Sequence, residues 1–153
     1  MKNIIRIVGI ALALTGFVAA LGAQTGKPVT IVDANTVSAA ELAKLPNMTP
    51  DLAKAVIAKR PFKTIKDLDN ALGGLTKEQR AELYVKLFVP INLNTATDEE
   101  ILLIPNLGPR MLREFKEYRP YEALAKFHRE IAKYVNETEL ARLEQYVSVP
   151  QQK

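Results

Sequence analysis

The chain has 153 residues, with 21 Lys and Arg against 17 Asp and Glu, and no cysteine. The lack of thiols excludes a disulfide framework and a thiolate metal site, so stability has to come from packing. Without residues 1–23 the count falls to 19 basic against 17 acidic, a net of +2. So small an excess does not argue for a polyanionic partner through overall charge, and the distribution of charge has to carry that question.

The first segment, Met1 to Ala23, reads as a targeting signal. Lys2 and Arg6 form a positive start, Ile7 to Ala20 is a run of apolar and small residues, and Leu21-Gly22-Ala23 places a small residue before a cut at Gln24. The competing reading is a retained anchor, because the run approaches the lower limit of roughly 17 residues for a spanning helix. No Cys follows, which excludes a lipid-modified cysteine. Both readings predict an exported protein, periplasmic or otherwise extracytoplasmic, with residues 24–30 as a linker.

The rest repeats itself at an offset of 59 residues. Asn35-Thr36 aligns with Asn94-Thr95, Pro46-Asn47 with Pro105-Asn106, Pro50 with Pro109, and Arg60-Pro61-Phe62 with Arg119-Pro120-Tyr121. After a shift of one residue the copies close on Val89-Pro90 and Val149-Pro150. The units are therefore placed at 31–90 and 91–150, with Val89-Pro90 either a hinge or part of a packed junction.

Apolar residues recur at helical spacing, as in Leu42, Leu45, Leu52 and Val56, and again in Ile101, Ile104, Met111 and Phe115. Ser38 with Glu41, Thr76 with Gln79, Thr97 with Glu100 and Asn136 with Glu139 have capping-box spacing. Thr49-Pro50 and Gly108-Pro109 pair a cap with proline at the first helical position. Arg60-Pro61 and Arg119-Pro120 end the helices that start at those two caps. These signals predict helices near 39–45, 50–59, 65–72 and 77–88, repeated near 98–104, 109–118, 122–133 and 137–147, with no strands.

The run Ile91-Asn92-Leu93-Asn94-Thr95-Ala96-Thr97-Asp98-Glu99-Glu100-Ile101-Leu102-Leu103-Ile104-Pro105-Asn106-Leu107-Gly108 resembles the ComEA-like family, the periplasmic DNA receptors of competence and their exported relatives. The stretch Val32 to Ile57 matches the same pattern less closely. The resemblance implies an all-α fold of two tandem helix-hairpin-helix units, about four short helices each, after an N-terminal signal segment. It also implies tight glycine turns that present backbone N–H groups to nucleic-acid phosphates. The eight positions expected to be glycine hold Asn47 and Thr49, Gly74 and Thr76, Asn106 and Gly108, Tyr134 and Asn136, so only two are glycine. Asn tolerates the left-handed conformation, so Asn47 and Asn106 are expected to keep the turn. Thr49 and Thr76 are better explained as helix caps.

Two candidate contact surfaces follow. The better kept hairpin is Asn106-Leu107-Gly108-Pro109, followed by Arg110 and Arg113 on one helix, with Glu114 and Glu117 close by. The other is a basic stripe of Lys54, Lys59, Arg60, Lys63 and Lys66, with no acidic residue between its ends. Asn47 and Thr49 belong to the first copy's hairpin beside it. The charge is split: residues 27–90 hold 10 basic and 7 acidic residues, and 91–153 hold 9 and 10. Favourable charge thus lies on one copy and the better hairpin on the other.

Other residues have plainer explanations. His128 is the only histidine and stands outside any motif. Asp98-Glu99-Glu100 complements a helix dipole. Phe62, Tyr84, Phe88, Phe115, Tyr121, Phe127 and Tyr146 read as packing residues. No nucleophile-base pair, phosphate loop or metal-ligand cluster is recognisable, so no enzyme, metal, cofactor or small-molecule substrate is expected. The functional expectation is weak, sequence-independent binding of double-stranded DNA. The alternative is a docking module of a membrane-associated protein complex, because degenerate units of this type also resemble the extrinsic luminal subunit U of photosystem II.

Overall fold

The computed structural model describes residues 30–150, so the targeting segment expected at 1–23 and nearly all of the linker lie outside the described residues. Two stretches of chain share one order of elements. The first runs β1 (Val32–Asp33), α1 (Ala39–Leu42), α2 (Pro50–Ala58), α3 (Ile65–Ala71), α4 (Lys77–Tyr84) and β2 (Leu87–Phe88). The second runs β3 (Ile91–Asn92), α5 (Asp98–Leu102), α6 (Pro109–Glu117), α7 (Leu124–Ile131), α8 (Glu137–Glu144) and β4 (Val147–Ser148). The fold is mostly helical, as expected for helix-hairpin-helix units.

The strands correct the expectation that there would be none. β1 pairs in parallel with β2, Val32 beside Leu87 and Asp33 beside Phe88, and β3 pairs in parallel with β4, Ile91 beside Val147 and Asn92 beside Ser148. Each pair ties the start of a stretch to its end. Two residues are too few to show a period-two pattern, which is why the strands left no trace in the sequence. They also shorten α4 and α8, whose expected ends at 88 and 147 fall within β2 and β4. α7 likewise begins at Leu124, two residues later than expected, because Ala123 is still extended (φ −153°, ψ 161°).

Local rules account for the helix starts. Ser38, Thr76 and Thr97 form the expected capping boxes. Thr64 with Asp67 forms one that the sequence reading passed over. Asn136 caps α8 by accepting from the Glu139 N–H, but the Glu139 side chain does not return the bond. That carboxylate instead takes both arms of Arg142, at 2.7 and 2.6 Å, so the expected box is half formed.

The repeated sequence signature is mostly structural. The Asn35 amide accepts from the Phe62 N–H (2.7 Å) and donates to the Phe62 carbonyl (3.0 Å). Asn94 does the same with Tyr121, at 2.6 and 2.8 Å. Each amide stands in for a strand at the Arg-Pro corner, where both Arg–Pro bonds are cis. The aromatic residue after each proline is buried, Phe62 at 4% and Tyr121 at 1% exposure. Burial pushes the Tyr121 hydroxyl up to about 12, and that hydroxyl donates to the Phe115 carbonyl at 3.0 Å.

One apolar core runs through both stretches. Phe88 and Tyr146 meet edge to face with centroids 4.8 Å apart, and the Tyr146 hydroxyl donates to the Tyr84 carbonyl at 3.1 Å. Gln145 accepts from the Ile31 N–H (3.0 Å), and Lys66 pairs with Glu99. Val89-Pro90 therefore belongs to a packed junction, with Val89 itself 4% exposed. Burying an aromatic ring is worth about 1.5–3 kcal/mol, so the Phe88–Tyr146 pair outweighs the surface ion pair at the same junction.

Candidate nucleic-acid interface

Four hairpin turns precede α2, α4, α6 and α8, and they differ in what is left open for a ligand. In the first, Asn47 is left-handed (φ 60°), as its residue type predicted. Its amide is committed across the turn to the Gln79 carbonyl (3.3 Å) and the Glu82 carboxylate (3.0 Å) on α4. The Thr49 hydroxyl accepts from the Leu52 N–H (3.2 Å). Both candidate contact residues of this hairpin thus have intramolecular partners.

The second and fourth turns are closed in the same way, because Thr76 caps α4 and Asn136 caps α8. Gly74 leaves open space where a Cβ would stand, but the helix start beyond it is already satisfied.

The third turn is different. Asn106 is left-handed (φ 61°), Leu107 is buried and plugs the core, and Gly108 at the N-cap supplies no side-chain hydrogen bond. A Cβ added at Gly108 would meet nothing within 4 Å. Pro109 lacks an N–H, so the backbone amides of Arg110 and Met111 are the first donors of α6, and no side chain among the described residues occupies them. Arg110 and Arg113 are exposed, and neither has a carboxylate within ion-pair distance among the described residues.

Arg110 has a support that the sequence did not show. Its guanidinium lies over the Tyr134 ring, 5.6 Å from the centroid. The Tyr134 hydroxyl meets that of Tyr118 at 2.7 Å, and this bond, followed by one to Glu114, pushes the Tyr134 hydroxyl well above its usual range. A cation held on an aromatic face keeps its N–H donors free at the edge. The tyrosine that spoils the fourth turn as a glycine hairpin therefore orients an arginine of the third.

The basic stripe breaks up on folding. Arg60 leaves it altogether: its Nη2 donates to the Val37 carbonyl at 2.7 Å, and its Nε is buried without a partner. Arg119, its counterpart, likewise donates to the carbonyls of Leu93 (2.6 Å) and Ala96 (2.8 Å). An arginine before proline at the same register of both copies was the available sign of a structural role. Lys54 lies 3.9 Å from Asp51, and Lys66 faces Glu99. Lys59 and Lys63 remain, both lining an open groove of about 420 Å³ that also includes Asp67 and Asn70. The Asp67 carboxylate is engaged by the N–H groups of Lys63 and Thr64, each at 3.0 Å.

His128 bonds to Glu144 through Nδ1 at 2.7 Å on the surface. Among the described residues, no group of His, Asp and Glu is placed to hold a metal ion, and no helix is long and apolar enough to cross a membrane.

In comparisons with known proteins, residues 28–79 match the family profile of the helix-hairpin-helix motif. The match runs through β1 and the first three helices into α4, and therefore includes the Asn47 turn, which lacks glycine. The motif is generally a nucleic-acid-binding one. No curated protein and no solved structure matches the chain.

Proposed function

We propose that this is an exported, non-enzymatic protein of ComEA-like type that binds double-stranded DNA without sequence preference, chiefly through the turn Asn106 to Pro109 and the cations Arg110 and Arg113. The observation that carries the reading is the uncapped start of α6, where Gly108 leaves backbone donors free beside an arginine held on Tyr134. Backbone amides and arginines at a helix start suit phosphate oxygens and read no base. Lys59 and Lys63 supply a second phosphate contact on the first unit. Arg60 has no part in it.

The test is a titration of residues 24–153 with duplex DNA at two salt concentrations. Log affinity is expected to fall with log salt by about 0.9 for each phosphate neutralised. Reversing charge at Arg110 and Arg113 together is expected to weaken binding at least about tenfold, and reversal at Lys59 and Lys63 to weaken it less. Absence of binding at low salt would refute the proposal. The competing reading, a docking module within a protein complex, is favoured by the three turns whose caps are filled from within the chain. Under that reading the same reversals leave complex formation intact.

A further inference from the structure

Between α4 and the turn that joins α5 to α6 lies a cleft of about 300 Å³, which shares only Asn106 and Leu107 with the turn of the DNA reading. Its lining is unlike the rest of the surface. Leu102 is 47% exposed and, among the described residues, is one of three large apolar residues left open to solvent. Leu103, half-buried, and Leu107 complete an apolar wall. The matching residues of the first copy for Leu102 and Leu103 are Ala43 and Lys44, both exposed, so the wall belongs to the second copy alone.

The polar groups of the cleft divide into satisfied and free. Asp69 accepts from the Tyr84 hydroxyl (2.5 Å) and from Arg80 Nε (2.9 Å), while Arg80 Nη1 donates to the Leu75 carbonyl (2.7 Å). Burial, and after it the bond to Asp69, pushes the Tyr84 hydroxyl far above the usual phenol range, so it stays a neutral donor. The Asp69 charge is thus balanced within the protein. Lys77 has no carboxylate within ion-pair distance among the described residues. Its neighbour Glu78 is held below the usual carboxylate range by its own backbone N–H and then by the Thr76 hydroxyl, at the start of α4. Asn106 also lines the cleft. The amide of Asn47 is bound across to α4, but that of Asn106 forms no side-chain hydrogen bond within the described residues.

An apolar wall, a free amide and an ammonium without an ion-pair partner among the described residues describe the complement of a particular ligand. A side-chain amide offers one donor and one acceptor, as a peptide group does. A 300 Å³ cleft is at the small end of binding cavities, of the order needed for two or three side chains. We propose that this cleft binds a short extended peptide segment of a partner protein, with one or two branched apolar side chains against Leu102 and Leu103, and a carboxylate paired with Lys77.

The test uses a fluorescein-labelled synthetic peptide of alternating Leu and Glu, titrated into the protein spanning residues 24–153 and followed by anisotropy, with amide shifts mapped by NMR. Control peptides replace Glu by Lys or Leu by Ser. Saturable binding of the Leu/Glu peptide alone, with shifts centred on Lys77, Leu102 and Asn106, is expected. Leu102→Ala, which installs the residue of the first copy, and Lys77→Glu, which turns attraction into repulsion, should each weaken binding about tenfold. In the Lys77→Glu protein the preference should pass to the Leu/Lys peptide. Equal binding of all peptides, shifts elsewhere, or self-association that Leu102→Ala abolishes would overturn the proposal. No nucleic acid is present, so the outcome is separate from that of the DNA titration.

Discussion

The two units share their helix order and their corner clamps but differ in how their second helices begin. α2 is capped by Thr49 and its turn is tied to α4 through Asn47, whereas α6 starts at a bare glycine beside two unpaired arginines. The side chains that both copies retain, Asn35 and Asn94, Arg60 and Arg119, hold backbone together. The side chains that differ at the starts of the second helices, Thr49 and Gly108, Asp51 and Arg110, face solvent. The repeated side chains at the corners therefore mark structure, and the exposed departures at the helix starts mark where a ligand can be received.

The largest effect that separates the copies is expected at the corner arginines. Arg119 satisfies two main-chain carbonyls, while Arg60 satisfies one and leaves Nε unpaired. Charged hydrogen bonds contribute about 1.5–3 kcal/mol each, so Arg119→Met should cost about 3 kcal/mol and Arg60→Met about half of that. Urea midpoints measure both. Equal losses would show that the clamps are equivalent despite their different geometry.

Next in size is the contact that joins the copies. Tyr146→Phe removes the hydroxyl that bonds to the Tyr84 carbonyl while keeping the ring on Phe88, and should cost about 1 kcal/mol. The unfolding transition should stay single, with fluorescence and circular dichroism coincident, because the core is continuous. Two separated transitions would mean that the units are independent and that Val89-Pro90 acts as a hinge.

Exchanging the helix starts is expected to move stability little and binding more. Gly108→Thr has room for its Cβ and gains a cap, for a gain of a few tenths of a kcal/mol, and Thr49→Gly should lose a similar amount. The threonine hydroxyl would then occupy a free donor of α6, so duplex affinity should fall in Gly108→Thr. Unchanged affinity would detach DNA binding from this turn.

Much of this was legible because the signals were local. Caps, proline positions and the left-handed asparagines depend on a few neighbouring residues, and all eight expected helices formed, though α1, α4 and α8 end earlier and α7 begins later than expected. The paired termini were not legible, since two-residue strands carry no pattern. Nor was the fate of Arg60, because a basic stripe and a buried clamp are spelled with the same residues. The Arg110–Tyr134 stack and the leucine-lined cleft arise between segments distant in sequence, where spacing gives no warning.

The smallest expected difference is in acid sensitivity. Glu130 on α7 is nearly buried and is held below the usual carboxylate range by hydrogen bonds from Lys133 and then Arg129. At the matching position the first unit has Ala71, which cannot titrate. A carboxyl whose folded pKa is depressed adds stability that is complete above its unfolded value of about 4.3 and is lost as pH falls through the folded one. Urea midpoints should therefore decline between about pH 5 and pH 3, and Glu130→Gln should flatten part of that decline. Raised salt should shrink the difference, because Arg129 and Lys133 are more than half exposed. An unaltered acid limb in Glu130→Gln would assign the decline to other carboxylates, such as the capping group Glu41 of the first unit, and would remove this distinction between the units.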